Sequence, residues 1–574
     1  MPVIAILTDS FGHFQRRYID GIAARLKPHG FGILTVSGRE LKPDPRWNQP
    51  TYNNANRIFS IAKSYDVSGY ILLSGCIGHN LGRTEIDGFA REFTSIPTVS
   101  LGVDVPSASS ICSSSQNGMR ELMEHLTEDR SRRNFVFIRG FKNDIDSIER
   151  EDIFREVLAQ RGIPVQEHLI LTGNYIAVDA YNALDAAVAM HPEIDVVVAA
   201  NDNMAAAAIE VLKKHKYSIP TDVVVSGFDN SSLAKETSPP LTSIGQPFEK
   251  QIIATVDTLL AMIEDPITLA PVRPPQFFSS ELFIRESTLS KPLPDTMPHL
   301  AFSGSLDEAW DHFMHTFIAD YELVLNQGKG CDYKNLFSMI RERLEMQPAE
   351  MGEFFKEFSS DAIYGNQDRG WWFEFEKLLA TLALRLSKAM IFGSYLTQLL
   401  ELQTLVRNFN ISTTSSEQHA LKQSSLHLSR LEIMLARCQV FEEVKSALDN
   451  FFSYHNVRRA FLVLYNSKSG SVDCLARVEY AYGSDLSLVD LSKVIECTSF
   501  ESKDVLPQAL KEELNKGTLI LDPLFFDEMQ LGYSLIDPSG VDTVSIECFS
   551  FALSEAVNRC FPTMAADHKS KHLE

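Results

Sequence analysis

The stretch DVVVAANDNMAAAAIEVLKKHKYSIPTDVVVSGFDN, residues 195–230, decides the fold. Two short β-branched runs, each closed by Asp or Asn, flank an Ala-rich amphipathic segment that begins at Asn201-Asp202. Runs of four to six apolar residues with no polar alternation suit strands buried on both faces, and a helix between two of them implies a right-handed βαβ crossover in a parallel sheet. The same alternation extends outward: VIAIL at 3–7, GILTV at 32–36, GYILLS at 69–74, PTVSLG at 97–102 and NFVFIRG at 134–140. Seven such strands within about 290 residues predict two doubly wound α/β lobes.

In open parallel sheets a ligand sits beyond the carboxyl ends of the strands. The polar residues at those ends are Thr8, Asp9 and Ser10, then Arg139, Asn201-Asp202 and Asp229-Asn230, with Gly75-Cys76 after the third run. Phe11 and Phe14 add apolar surface beside the first group. Carboxylates and amides that bond adjacent hydroxyls, next to aromatic faces that cover C–H surface, suit a polyhydroxylated ligand. Asn201-Asp202 is equally well placed to cap the helix that follows it.

Residues 199–249 carry a resemblance. The ND-x-MA helix start, the IP-x-DVVVSGFD strand, the SPPLTSIGQP crossover and the later SSELFIREST at 279–288 are similar to the sensor domain of the lactose-repressor/galactose-repressor (LacI/GalR) family. Phe14, Tyr18-x-x-Gly21-Ile22 and Arg150-x-x-x-Phe154-Arg155-x-x-Leu158 fit as well, with Ile153 in place of the family's usual glycine. The resemblance covers residues 3–288 and implies a periplasmic-binding-protein type 1 fold that closes on a small ligand, typically a sugar or nucleobase. It implies that Arg150, Asn201 and Asp229 contact the ligand, that Phe248 stacks on it, and that Asn117 falls where some members carry a ligand-contacting acid. Serines between Ser114 and Gln116 replace the family's acidic-amide pair. The family's transcription factors carry a helix-turn-helix ahead of the first sensor strand; here that strand starts at Val3, so a DNA-reading unit is not expected before it.

The expected organisation has four parts. Residues 1–290 form the sensor, and Leu241–Glu249 and Phe277–Ile284 are its expected hinge. Pro292, Pro294 and Pro298 then stiffen a linker into an all-α helical region, 291–415, whose Trp371-Trp372 pair reads as core. Leu421, Leu428 and Leu435, seven apart, with Leu431 and Cys438 at the complementary positions, suggest a coiled-coil stalk over 416–445, or an ordinary amphipathic helix. Strand-like runs at 458–470, 473–483, 517–526 and 529–538 predict a small α+β domain over 446–574 that resembles a GAF-type sensor module at the level of fold.

Composition narrows the function. Lys and Arg number 53 against 75 Asp and Glu in 574 residues, a formal charge of −22, which disfavours direct nucleic-acid binding. The eight cysteines are scattered without CxxC pairs, as suits a reducing compartment rather than a disulfide framework or zinc site. No run reaches the ~18 apolar residues of a membrane helix, and no secretory leader is evident. There is no P-loop, HExxH, GxSxG or dinucleotide fingerprint. Cys76 reads as a buried structural thiol, His79 as a lone loop residue, and the acidic run 144–151 as a solvated helix start. The expectation is a cytoplasmic, non-enzymatic sensor with no metal and no cofactor. It binds a sugar-like molecule, forms a homodimer and acts on a separate effector. The alternatives are a LacI-type regulator that reaches DNA with a partner, and a relative of a diguanylate cyclase lacking its catalytic domain.

Overall fold

A computed structural model describes residues 2–43, 49–264, 273–289, 427–469, 472, 474–483, 499–538 and 549–560, with 356, 379, 402, 405 and 406. The helical region expected at 291–415, including the Trp371-Trp372 pair, lies outside the described residues apart from those isolated positions, as does Leu421 of the heptad pattern.

The two lobes form as expected. In the first, β1 (Val3–Thr8) lies between β2 (Gly32–Ser37) and β3 (Gly69–Leu72). Beyond β3 follow β4 (Thr98–Leu101), β5 (Ser109–Ser114) and β11 (Gln276–Ser279), every pair parallel. In the second lobe the order is β12-β10-β9-β8-β6-β7. Here β6 is Phe135–Arg139, β7 Ile170–Thr172, β8 Val196–Ala199, β9 Val224–Asp229 and β10 Thr242–Gly245, and β12 (Glu281–Phe283) is antiparallel at the edge. The uniformly apolar runs seen in sequence are buried on both faces: Val196, Val197, Val198, Val224 and Val225 are at most 1% exposed.

The chain crosses between lobes three times, each time in one or two residues. Ser115 separates β5 from α6 (Gln116–Leu126), Gln246-Pro247 separates β10 from α11 (Phe248–Glu264), and Ser280 separates β11 from β12. The expected hinge segments hold the second and third crossings. The first, at Ser115, falls within the serine stretch that the resemblance marked between Ser114 and Gln116. Ser280 ties crossings together, its backbone N–H and its hydroxyl both donating to the Ser114 carbonyl.

The carboxyl-terminal residues fold as an α+β unit. β13 (Arg459–Ser469), β14 (Leu475–Gly483), β15 (Phe500–Glu501), β16 (Thr518–Phe526) and β17 (Met529–Ile536) form an antiparallel sheet in the order β16-β17-β13-β14-β15. Helices at 427–437, Phe441–Tyr454 and 549–560 cover one face. Leu431, Leu435 and Cys438 are at most 4% exposed and pack with Phe441, Phe549 and Leu553. The heptad spacing is therefore consumed by this unit's own core, the ordinary amphipathic alternative to a stalk. The physical reason is the break at 438–440, after which the next helix folds back within the same unit.

The larger finding is that this module does not stand apart. β16 pairs in parallel with β2, Thr518–Leu521 against Ile33–Val36, so one sheet of eleven strands runs from β11 to β15. The period-2 alternation is continuous across the joint. Ile4, Ile6, Ile33, Ile520, Leu462 and Leu464 share one core, while Ala5, Leu7, Leu34, Val36, Leu519, Leu521 and Leu535 share the other. An edge strand with unpaired N–H and C=O groups invites foreign pairing, and β16 covers the one β2 offers. From α2 (Gln49–Asn56), the Asn54 amide donates to the Asp527 carbonyl and the Asn54 carbonyl accepts from Gln530 Nε2 at 3.1 Å.

Gly32 marks the closest approach. A methyl group there would sit 2.4 Å from the Leu514 carbonyl oxygen and 2.9 Å from the Asn515 Cα, both backbone atoms that cannot turn aside. Gly32→Ala is expected to destabilise the chain by about 1–3 kcal/mol through overpacking. Urea unfolding should show this as a lower midpoint, whereas Gly30→Ala, with open space at its Cβ but φ +77°, should cost only about 1 kcal/mol of backbone strain.

Candidate ligand cleft

The groups at the strand ends converge where the lobes face each other. In the first lobe Asp9 follows β1 and is buried, and its carboxylate is saturated from within. Thr8 Oγ1 donates at 3.2 Å, Ser10 Oγ at 3.1 Å, and Gln15 Nε2 reaches both oxygens at 3.1 and 3.2 Å. Phe11 is 2% exposed and belongs to the core rather than to an open wall. Phe14, on α1 (His13–Leu26), is half-buried in an aromatic cluster with Tyr18 and Phe248, ring centroids 4.8–5.5 Å apart. Tyr18 Oη donates to Gln251 at 2.7 Å, so this cluster clamps α1 to α11.

In the second lobe Arg150 projects from α7 (Ile145–Gln160) and is 3% exposed. Its guanidinium lies 3.6 Å over the Phe228 ring, donates to the Ala200 carbonyl at 2.7 Å and pairs with Asp146 at 3.4 Å. Asp229 ends β9 with φ +99° and accepts from Gln246 Nε2, at the second crossing, at 3.1 Å. Burial pushes the Asp229 carboxyl up, countered by the charge of Arg150. Asp146 is likewise raised, to about 6, by burial, against the opposing pull of Arg150. Asn201 performs the capping role: its Oδ1 accepts from the Met204 N–H at 2.9 Å at the start of α9 (Asp202–Lys214), and its amide donates to the Tyr175 carbonyl at 3.2 Å.

Phe248 is 4% exposed and carries the Arg17 guanidinium 4.1 Å over its ring. It borders a cavity of about 300 Å³ with Arg17, Asp229, Gln246, Lys250 and Phe283. Of the eight candidate residues, Asp229 and Phe248 line this cavity, whereas Arg150 and Asp9 are buried on partners within their own lobes. Phe14 and Phe248 belong to one aromatic cluster, and Phe11 and Asn201 serve core and cap. Asn117 is exposed in the first turn of α6 and donates to Ser279 Oγ at 3.2 Å, a bond across the hinge rather than a part of the charged group.

His79 and Asp144 correct the sequence reading. His79 follows the short helix Ser74–Ile77 in the first lobe, and its Nδ1 lies 3.4 Å from Asp144 Oδ2 in the second. Asp144 is not a solvated carboxylate: it is 7% exposed, caps α7 by accepting from the Ser147 N–H at 2.8 Å and accepts from Tyr175 Oη at 2.7 Å. Phe141 and Tyr175 flank the imidazole with centroids near 6 Å. No local motif could have announced this bridge, because its two halves lie 65 residues apart and only lobe closure joins them. Cys76 fits the expected structural thiol, buried and with its pKa pushed well up by burial and the neighbouring carboxylates, Asp9 foremost.

A model of the periplasmic binding protein-like domain matches residues 123–288. The regulator CelR of Thermobifida fusca is 29% identical over 282 residues, covering 48% of this chain and 76% of CelR. The repressor PurR of Vibrio cholerae is 32% identical over 262 residues, 45% of this chain and 73% of PurR. This chain belongs to the LacI/GalR family. Among solved structures, the CelR–cellobiose complex aligns over 50% of this chain and 84% of that one at 23% identity, with a TM-score of 0.42. These relatives of the LacI/GalR chain are named as HTH-type transcriptional regulators, not enzymes. The sequence-based expectation against nucleic-acid binding draws no support from them. No helix among the described residues is long and apolar enough to cross a membrane.

The His79 bridge makes interlobe contact pH-dependent. Burial lowers the imidazole pKa, but the Asp144 hydrogen bond and the charges of Asp144, Asp9 and Glu40 outweigh it and set the value at about 9. A histidine raised above its unfolded value of 6.5 contributes stability that is complete below pH 6.5 and fades as pH rises through about 9. Wild-type melting temperature should therefore fall between pH 6.5 and 9 more steeply than that of His79→Gln, read by differential scanning fluorimetry. Parallel curves would remove the ion pair from the closed state.

Proposed function

We propose that this LacI/GalR-family chain is a ligand-responsive regulatory subunit that holds a small hydroxyl-rich metabolite between its lobes and passes lobe closure to its carboxyl-terminal module. The observation that supports the reading is Asp229 on the wall of a cavity beneath the Gln246-Pro247 crossing, a carboxylate on which the charge of the buried Arg150 guanidinium acts. Vicinal hydroxyls can accept from the first and donate to the second. The short crossings support rigid rotation of one lobe on the other, and a ligand gripped from both sides has the differential affinity that shifts such an equilibrium. Within this reading the chain acts in transcription control as a homodimer in the cytoplasm, and the carboxyl-terminal α+β unit serves as a GAF-like receiver that engages a separate effector. The HTH-type names of the relatives favour a second reading, in which the chain reaches DNA directly or through a partner. A gel shift with steep salt dependence would select it.

Thermal-shift screening against sugars, polyols and nucleosides tests the first reading, since a ligand that binds only the folded state raises the melting temperature by mass action. Asp229→Asn separates binding from stability. A carboxyl raised by burial destabilises the fold at neutral pH, where it is forced to ionise, so its replacement by an amide is expected to raise the melting temperature of the free protein at pH 7.5. The same change should weaken binding of any hit by about 1.5–3 kcal/mol, roughly 10–150-fold, if the carboxylate makes a charged hydrogen bond to it. Calorimetric titration giving equal affinity for variant and wild type would detach Asp229 from the ligand.

A further inference from the structure

We propose that the β2 edge is the surface through which the cleft acts on the carboxyl-terminal module, with Arg39 as the joint between them. The inference rests on the proposed function only for what sets the joint moving. Arg39 stands just past β2 with φ +68°, a left-handed conformation that a residue with a side chain keeps only when its surroundings hold it there. Those holds come from both directions. On the cleft side the Arg39 N–H donates to the Asp9 carbonyl at 3.0 Å. The same carbonyl accepts from Ser37 Oγ at 3.1 Å, and Ser37 Oγ in turn accepts from Arg39 Nη1 at 3.0 Å. On the module side the guanidinium pairs with Asp522 of β16 at 3.4 Å, and Phe551 of helix 549–560 lies 5.6 Å from it. Asp522 is fully buried and Arg39 nearly so, 0% and 7% exposed.

A buried ion pair left with one partner is strongly unfavourable, so Arg39 and Asp522 move together or not at all. One residue, Asp9, holds its carboxylate on Gln15, lets its charge act on His79 of the interlobe bridge and gives its carbonyl to Arg39, so a change in how that carboxylate is held reaches the joint through a single peptide unit. The shared cores on both sheet faces leave no slack in which such a shift would be absorbed. By reciprocity the module biases the cleft to the same extent.

The test needs no ligand, so a metabolite screen without a hit leaves it intact. Hydrogen–deuterium exchange of the full chain is followed in peptides spanning 518–526 for wild type, Asp9→Asn and Asp229→Asn, alone and combined with Arg39→Gly. Glycine accepts φ +68° without strain, so the backbone at 39 is kept; should Arg39→Gly fail to fold, Asp522→Asn takes its place. Asp9→Asn is expected to speed exchange in β16 by about threefold or more, Asp229→Asn in the other lobe to leave it unchanged, and the Asp9→Asn effect to vanish once Arg39 is replaced. Unaltered exchange in Asp9→Asn overturns the proposal, and so does an effect that persists without Arg39, or an equal one from Asp229→Asn.

Discussion

The parallel pairing of β2 with β16 is the constraint on which the rest depends. It joins strands almost five hundred positions apart into one sheet and makes both of that sheet's hydrophobic faces common property of the sensor lobe and the carboxyl-terminal module. Two units linked by a flexible tether can drift without energetic consequence. Two units that share ladder hydrogen bonds and interdigitated side chains cannot, because any relative motion opens close-packed interior. The first lobe and the module therefore form one body, and the second lobe joins it through crossings of one or two residues.

The facing surfaces of that hinge are unusually charged for an interior. Among the described residues, Asp9, Asp144, Asp146 and Asp229 are countered by the Arg150 and Arg17 guanidinia and the His79 imidazole. Each is partly compensated: Asp9 by hydroxyl and amide donors, Asp144 by a helix N-terminus and a phenol, Arg150 by a carbonyl and an aromatic face. Such a set is costly to bury and is retained where specific polar contact with another molecule, or switching between two arrangements, is required.

What the sequence disclosed follows from the range of the forces involved. The strands at 3–7, 32–36, 69–74, 97–102, 134–140, 195–202 and 222–229 were legible because burial on both faces forces an unbroken apolar run, a local signature. The later strand-like runs were legible by their alternation. Arg150 and Asp229 were singled out by position and resemblance; Arg150 lies buried over the Phe228 ring, and Asp229 lines the cavity beside Phe248. Phe248, proposed as a stacking wall, keeps its place near the space but is largely covered by Arg17, Phe14 and Tyr18, because an aromatic ring at the first turn of α11 finds α1 before it finds a cleft. His79 with Asp144 and Arg39 with Asp522 were invisible, since each pair is separated by 65 or 483 residues and neither partner has a local mark. The β2–β16 joint was hidden for the same reason. A strand's sequence tells that it will pair, and only the assembled fold tells with whom.

The sheet's chain order also sets a timetable. β2 ends at Ser37, yet the strand that covers its outer edge begins roughly 480 residues later in the chain. At a synthesis speed of ~5–20 residues per second, that open edge waits for about 25 to 100 seconds in a crowded cell. A nascent chain of this kind is exposed over that interval to wrong partners, including the matching strand of a sibling on the same message.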